Sequence, residues 1–130
     1  MRHDEFLAQV RERGEYHDQK EAEEITAAVL GVLASRIRGS EATDLAAQLP
    51  EPLDRPLLDE SAAESGNFGV EEFLQRVAGL TGARPRTAEW DAGAVLSTLG
   101  EAVSGGELNQ IISRLPSGYA PLFGKPELSG

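Results

Sequence analysis

Apolar residues recur along this chain at helical spacing. Phe6, Leu7 and Val10 stand at i, i+1 and i+4, one stripe of a short first helix that ends near Gly14. A second helix opens at Asp18-Gln19-Lys20-Glu21, where Asp18 can cap the N-terminus and Glu21 can reach back from the third position. Ala22, Ile25, Val29, Val32, Leu33 and Ile37 then keep a 3.6-residue rhythm until Gly39, which the pattern reads as a left-handed helix end. Ser40 is the expected cap of a third helix with the stripe Ala42, Leu45, Ala46 and Leu49, stopped by Pro50. Leu53, Leu57 and Leu58 are expected to fold back on this unit as a short turn.

After Asp59 to Gly66, which is acidic, small and polar, the same order returns. Gly69 is the expected cap of a fifth element with Phe73, Leu74, Val77 and Leu80 on one face, and Phe68 can staple to Phe73. Thr87 is the expected cap of a long helix with the stripe Ala88, Ala92, Val95, Leu96, Leu99 and Val103. Leu108, Ile111, Ile112 and Leu115 form the next stripe before Pro116, and Tyr119, Leu122 and Phe123 close the unit. No stretch alternates apolar and polar residues with β-branched enrichment, so no strand is predicted.

The two passages share letters as well as rhythm. Glu5-Phe6-Leu7-Ala8-Gln9-Val10 returns as Glu72-Phe73-Leu74-Gln75-Arg76-Val77, with four of six positions identical. Ala28 to Pro50 returns as Ala94 to Pro116, with eight of 23 identical. The predicted fold class is therefore all-α: two tandem three-helix repeats, six main helices plus short stubs, packed with approximate two-fold pseudo-symmetry. Residues 1–130 read as a single domain, with a first repeat over 3–58, a linker over 59–68, a second repeat over 69–123 and a tail over 124–130. A unit of about 50 residues buries too little surface to be comfortable alone, so the copies should share a face.

Glu5-Phe6-Leu7, the stretch Gly39-Ser40-Glu41 to Leu49-Pro50, and the stretch Gly105-Gly106-Glu107 to Leu115-Pro116 with Tyr119 and Leu122-Phe123 resemble a known family. It is the bacterial family called domain of unknown function 2267, and the resemblance covers residues 3 to 123. It implies a small all-helical cytoplasmic protein with no established activity, and no catalytic or binding residue carries over. Ser40 in place of a second glycine and Ala42 in place of a leucine depart from the pattern and thin the packing of the first copy.

Charge narrows the partners. The net charge is −10, with 15 acidic and seven basic residues over 1–68 against seven and five over 69–130. Such a surface repels phosphate backbones and anionic lipid, which need clustered Lys and Arg. No apolar run has the length of a membrane span and no signal-like segment opens the chain, so the expectation is a cytoplasmic protein that binds neither membrane nor nucleic acid. Absent cysteine excludes disulfides and thiolate chemistry.

Candidate chemistry is sparse. His17 stands four residues before Glu21, a two-ligand spacing, but an Asp18 cap leaves His17 outside the helix, and no third ligand is evident. Glu21, Glu23 and Glu24 suit a helix N-terminus through the macrodipole, without catalysis. No serine stands in an activating motif, and Gly105-Gly106 lacks the Lys-Ser/Thr and preceding strand of a phosphate loop. Neither enzyme activity nor a cofactor nor a metal is expected. Trp90 lies off the apolar stripe of its helix and corresponds to Glu24 in the first copy. It is either packed across the seam between copies or an exposed anchor. Trp90, Glu21 and Glu24 are therefore the candidate partner-contact residues. The expected function is a non-enzymatic interaction or regulatory module, acting on a protein partner or on a second copy of itself. The alternative is small-molecule binding in an apolar cleft between the repeats.

Overall fold

The computed structural model describes residues 1–37, 39–58 and 66–124. Most of the expected linker (59–65) and nearly all of the expected tail (125–130) lie outside the described residues, as does Arg38. Helices α1 (His3–Gly14), α2 (Gln19–Ile37), α3 (Gly39–Ala47) and α4 (Arg55–Leu58) are followed by α5 (Val70–Thr81), α6 (Pro85–Ala102) and α7 (Gly105–Ser113). A 3-10 helix, η1 (Ser117–Phe123), closes the described chain. There is no strand among the described residues, and no helix there is long and apolar enough to cross a membrane.

The stripes read from the sequence form the core. Phe6, Leu7, Val10, Val29, Leu33, Leu45, Phe73, Val77, Val95, Leu99, Ile111 and Tyr119 belong to one continuous cluster and are all fully buried. Helix α1 packs against α2 and also against α6, while α5 packs against α6 and also against α2. The long helices α2 and α6 touch each other, as do the short helices α3 and α7. Two polar links join that last pair. Glu41 pairs with Arg114 at 3.1 Å, and the Ser104 amide donates to Gln48 Oε1 at 2.8 Å. The start of α3 thus meets the end of α7, and the end of α3 meets the start of α7, so the two run antiparallel. The junction before α5 is also tied down. The Phe68 carbonyl accepts from Arg36 Nε at 2.8 Å and from the buried Tyr119 hydroxyl at 2.9 Å. Burial raises the Tyr119 pKa to about 12, so this hydroxyl keeps its proton and stays a donor.

Several helix ends differ from expectation. The Asp18 cap forms, since its Oδ1 accepts from the Glu21 amide at 2.9 Å, but the Glu21 carboxylate reaches the His17 amide rather than that of Asp18. Gly39 opens α3 instead of closing α2, and Ser40 lies inside α3 rather than capping it. Helix α6 begins at Pro85 with Arg84 as cap, three residues ahead of the expected cap Thr87, because proline at the first helical position loses no hydrogen bond. In α7 the cap is Ser104, whose Oγ accepts from the Glu107 amide at 3.2 Å. The last turns before Pro50 and Pro116 tighten to i→i+3 bonds: Leu49 to Ala46 and Leu115 to Ile112, each at 3.1 Å. Leu80 and Leu58 were expected in the core, yet they are 63% and 49% exposed. Each sits in the last turn of its helix, past the stretch that its neighbours cover.

Leu33 and Leu99 are both fully buried. Leu33→Ala and Leu99→Ala should each lower the unfolding free energy by about 2–5 kcal/mol, read from urea denaturation. A variant that unfolds like wild type would contradict this core.

Candidate functional site

The C-terminal end of α1 is clasped to α6 by polar side chains. Helix α1 stops at Glu15, a non-glycine residue held at φ 55°, and the chain turns so that the Tyr16 amide donates back to the Arg11 carbonyl at 3.0 Å. The Tyr16 hydroxyl then donates to Asp91 Oδ1 on α6 at 2.6 Å. Gly14 is required for this approach, because a Cβ there would overlap the Tyr16 ring. One turn earlier Arg13 reaches across to Ser97 Oγ at 3.2 Å, to Thr98 Oγ1 at 3.1 Å and to the Glu101 carboxylate. Ser97 and Thr98 pass their own protons to the carbonyls of Gly93 and Ala94, at 2.6 and 2.8 Å. With its proton committed to a carbonyl and a guanidinium donating to its oxygen, the Ser97 hydroxyl is not poised as a nucleophile.

Asp91 is the unusual member. It is a buried carboxylate on the core-facing side of α6. Burial raises its pKa, the Tyr16 hydroxyl lowers it in part, and the charge of Glu21 raises it further. The same burial, with Asp91 beside it, pushes the Tyr16 pKa far above that of a free phenol. Tyr16 is therefore the fixed donor and Asp91 the acceptor.

Trp90 neighbours Asp91 and faces outward. The residue is 52% exposed, yet its indole N–H donates to the Gly14 carbonyl at 3.0 Å. Trp90 is thus bonded to the end of α1 and exposed at once. The residues proposed beside it are less tightly assembled. Glu21 is exposed at the start of α2, and its charge reaches Asp91 and Tyr16. Glu24 is exposed on α2, with no hydrogen bond or ion pair among the described residues. Among the described residues, no group of three or more His, Asp or Glu side chains converges as a metal ion requires.

Trp90 forms one wall of a groove of about 710 Å³. Helix α6 supplies Arg86, Glu89, Gly93 and Ser97 as well as the indole, α1 supplies Arg13, and Val70 and Leu122 come from α5 and η1. A second hollow of about 420 Å³ adjoins it, sharing Arg13 and Ser97 and continuing to Glu101 and Phe123. Sequence reasoning singled out Trp90 and passed over Arg13, Tyr16, Asp91 and the groove. One signal was present: Asp91 stands three residues after Ala88 and four before Val95, on the apolar face.

Fold and site together define an all-helical protein whose accessible feature is a tryptophan-walled groove. Residues 3–122 match the family described as "Uncharacterized conserved protein (DUF2267)", and the chain belongs to that family. No curated relative matches the chain.

Two substitutions test the clasp. Gly14→Ala should destabilise the chain by about 1–3 kcal/mol, the range for overpacking, because relieving the overlap displaces the Tyr16 ring from Asp91. Unchanged thermal melting would contradict it. Asp91→Asn keeps an oxygen for Tyr16 and removes the charge. Since burial raises the Asp91 pKa, the folded chain holds this proton more tightly than the unfolded chain. Its contribution to stability is therefore greatest at acid pH and falls as pH rises through the folded pKa. The unfolding free energy of the variant, relative to wild type, should accordingly rise from about pH 4 to about pH 7. A difference that falls over this range would contradict the assignment.

Proposed function

We propose that this chain is a non-enzymatic interaction module that docks a protein partner in the groove beside Trp90. The observation that carries the reading is a tryptophan residue half exposed and nonetheless fixed by a hydrogen bond from its indole to the Gly14 carbonyl. Interface anchors are commonly tryptophan, and a ring already held in place loses little freedom when a partner covers it. Glu21 and Glu24 belong to the same proposal as an acidic flank, through the charge that Glu21 exerts on Asp91 beside Trp90. The alternative, a small molecule in the cleft between halves, is favoured by one feature: the groove draws on Arg13 from the first half and on Val70, Trp90 and Leu122 from the second.

The architectural side of the proposal is a duplication. Helices α1, α2 and α3 start 67, 66 and 66 residues before α5, α6 and α7. The cross-packing of α1 on α6 and of α5 on α2, with α3 antiparallel to α7, is the pattern a two-fold axis between tandem copies would leave. A bacterial, cytoplasmic setting and avoidance of nucleic acid belong to the same reading and rest on the family resemblance and the net charge of −10.

Capture from native cell extract with wild-type and Trp90→Ala baits, followed by quantitative mass spectrometry, tests the docking reading. A protein held by wild type should fall at least about tenfold on the variant, the scale of losing one anchor residue. Trp90→Phe, which keeps a ring but loses the N–H, should cost about 1 kcal/mol of stability. Identical sets of captured proteins on the first two baits would sink the reading. A small molecule co-purifying with wild type and seen by native mass spectrometry would favour the alternative.

A further inference from the structure

Two consecutive residues of α6 hold the end of α1. The Trp90 indole donates to the Gly14 carbonyl at 3.0 Å, and Asp91 accepts from the Tyr16 hydroxyl at 2.6 Å. Tyr16 and Gly14 also touch, since the Tyr16 ring fills the place of a Gly14 Cβ. The four residues close a ring of contacts, from Trp90 to Gly14 to Tyr16 to Asp91 and back along the chain. Asp91 is the poorly provided member of that ring. It is only 3% exposed, and among the described residues the Tyr16 hydroxyl is its one hydrogen-bond donor. A buried carboxylate stays ionised where several donors or a cation hold it; with one donor, burial favours the neutral acid.

The charged surroundings do not supply the missing help. Among the described residues the charge that bears on Asp91 is another acid, Glu21 at the start of α2. On α1, Arg13 is engaged further along α6, and Arg11 donates to the His17 carbonyl. Glu15, His17, Asp18 and Lys20 around the turn are exposed, as are Glu12 on α1 and Glu23 and Glu24 on α2. Arg36, at the far end of α2, and Tyr119, the ionisable residue of η1, both donate to the Phe68 carbonyl. On α5, Arg76 pairs with Glu72 and Glu71 is exposed, while Arg86 and Glu89 are exposed on α6 itself. A protonated Asp91 therefore remains buried as a neutral acid and still accepts from Tyr16 with its carbonyl oxygen. An ionised Asp91 is a charge away from water with one donor and a like charge nearby. Swinging the Tyr16 turn outward hydrates that charge, so ionisation favours the open arrangement and protonation the closed one.

We propose that the Tyr16–Asp91 contact is a proton-operated latch on the groove, closed while the Asp91 carboxyl is protonated and loosened when it ionises, releasing Trp90 from Gly14. The latch supplies a regulation for the docking reading above and rests on that reading for its purpose, but it is measured without a partner.

Trp90 is the sole tryptophan, so the nitrogen-15-labelled full chain gives one indole N–H resonance in an NMR spectrum. Its exchange with solvent reports the bond to Gly14, and is followed from about pH 4 to about pH 8, the span in which carboxyl and imidazole groups titrate. Asp91→Asn, which has no proton to lose, removes the ordinary base-catalysed rise by comparison. Wild type should exchange increasingly faster than Asp91→Asn as pH rises. Tyr16→Phe keeps the ring on Gly14 but removes the donor, and should enlarge that excess roughly tenfold, the scale of one hydrogen bond to a charged group. A merely structural Tyr16 would instead raise exchange equally at every pH. Glu21→Gln keeps an oxygen for the His17 amide while removing the like charge, and should shrink the excess. Should Tyr16→Phe fail to fold, the surface variant Glu21→Gln still decides. Wild type that tracks Asp91→Asn at every pH, or an excess that falls as pH rises, would overturn the latch and leave the docking reading intact. A pH-dependent indole on a chain that captures no partner would support the latch and sink the docking reading.

Discussion

Each half of this chain places its first helix on the long helix of the other half, and the rest of the structure depends on that crossing. Helix α1 covers α2 but also α6, and α5 covers α6 but also α2. A unit of about 50 residues buries too small a fraction of its surface to offset the entropy of ordering its backbone. Crossing the first helices turns two insufficient cores into the single cluster that runs from Phe6 to Phe123. Two-state unfolding of the whole is the natural consequence, since neither half can lose its partner and keep its own apolar stripe covered.

The two crossings are chemically different. At a shift of 67 or 66 residues, Arg13, Tyr16, Trp90 and Asp91 on the α1–α6 side line up with Leu80, Ala83, Glu24 and Ile25 on the α5–α2 side. The first seam is closed by directed polar contacts, from Tyr16 to Asp91, from Trp90 to Gly14 and from Arg13 to α6. Among the described residues the second has one such contact, from Arg36 to the Phe68 carbonyl just ahead of α5, and Leu80 is exposed there. A hydrophobic seam tolerates sliding, whereas a buried carboxylate that must meet one hydroxyl does not. Holding Asp91 away from water opposes folding, and the Tyr16 hydroxyl offsets part of that cost. What the fold gains is a fixed register of α1 on α6, and with it a fixed orientation of the indole.

The elements were legible because helical periodicity is local. Stripes such as Val29, Val32, Leu33 or Ile111, Ile112, Leu115 identify their own helices, and the Leu-Pro ends stop them. Caps were less legible. Asp18 and Gly69 declare themselves, but Thr87 made as good a cap on paper as Arg84, and the advantage of proline at the first helical position decided the register. The site was mostly illegible. Gly14 reads as a helix stop, and its actual role, letting the Tyr16 ring lie against the backbone, depends on a bond to a residue 75 positions away. Trp90 stood out because its counterpart is an acid, although nothing local could say that it would be both bonded and exposed.

That double condition is the physical basis of the groove. A free tryptophan on a helix surface samples several rotamers and either collapses onto its own helix or gives up that freedom on binding. Here the N–H is taken by the Gly14 carbonyl, one of the last carbonyls of α1, which helix geometry leaves without an intrahelical partner. The bond therefore satisfies two groups that would otherwise turn to water, and it holds the indole in the groove that Gly93 also lines. Because Gly14 is also the residue whose missing Cβ admits Tyr16, the clasp and the wall of the groove share one backbone atom group. Any change that shifts the end of α1 moves the indole with it, so the shape of the groove is tied to the same crossing that makes the two halves one core.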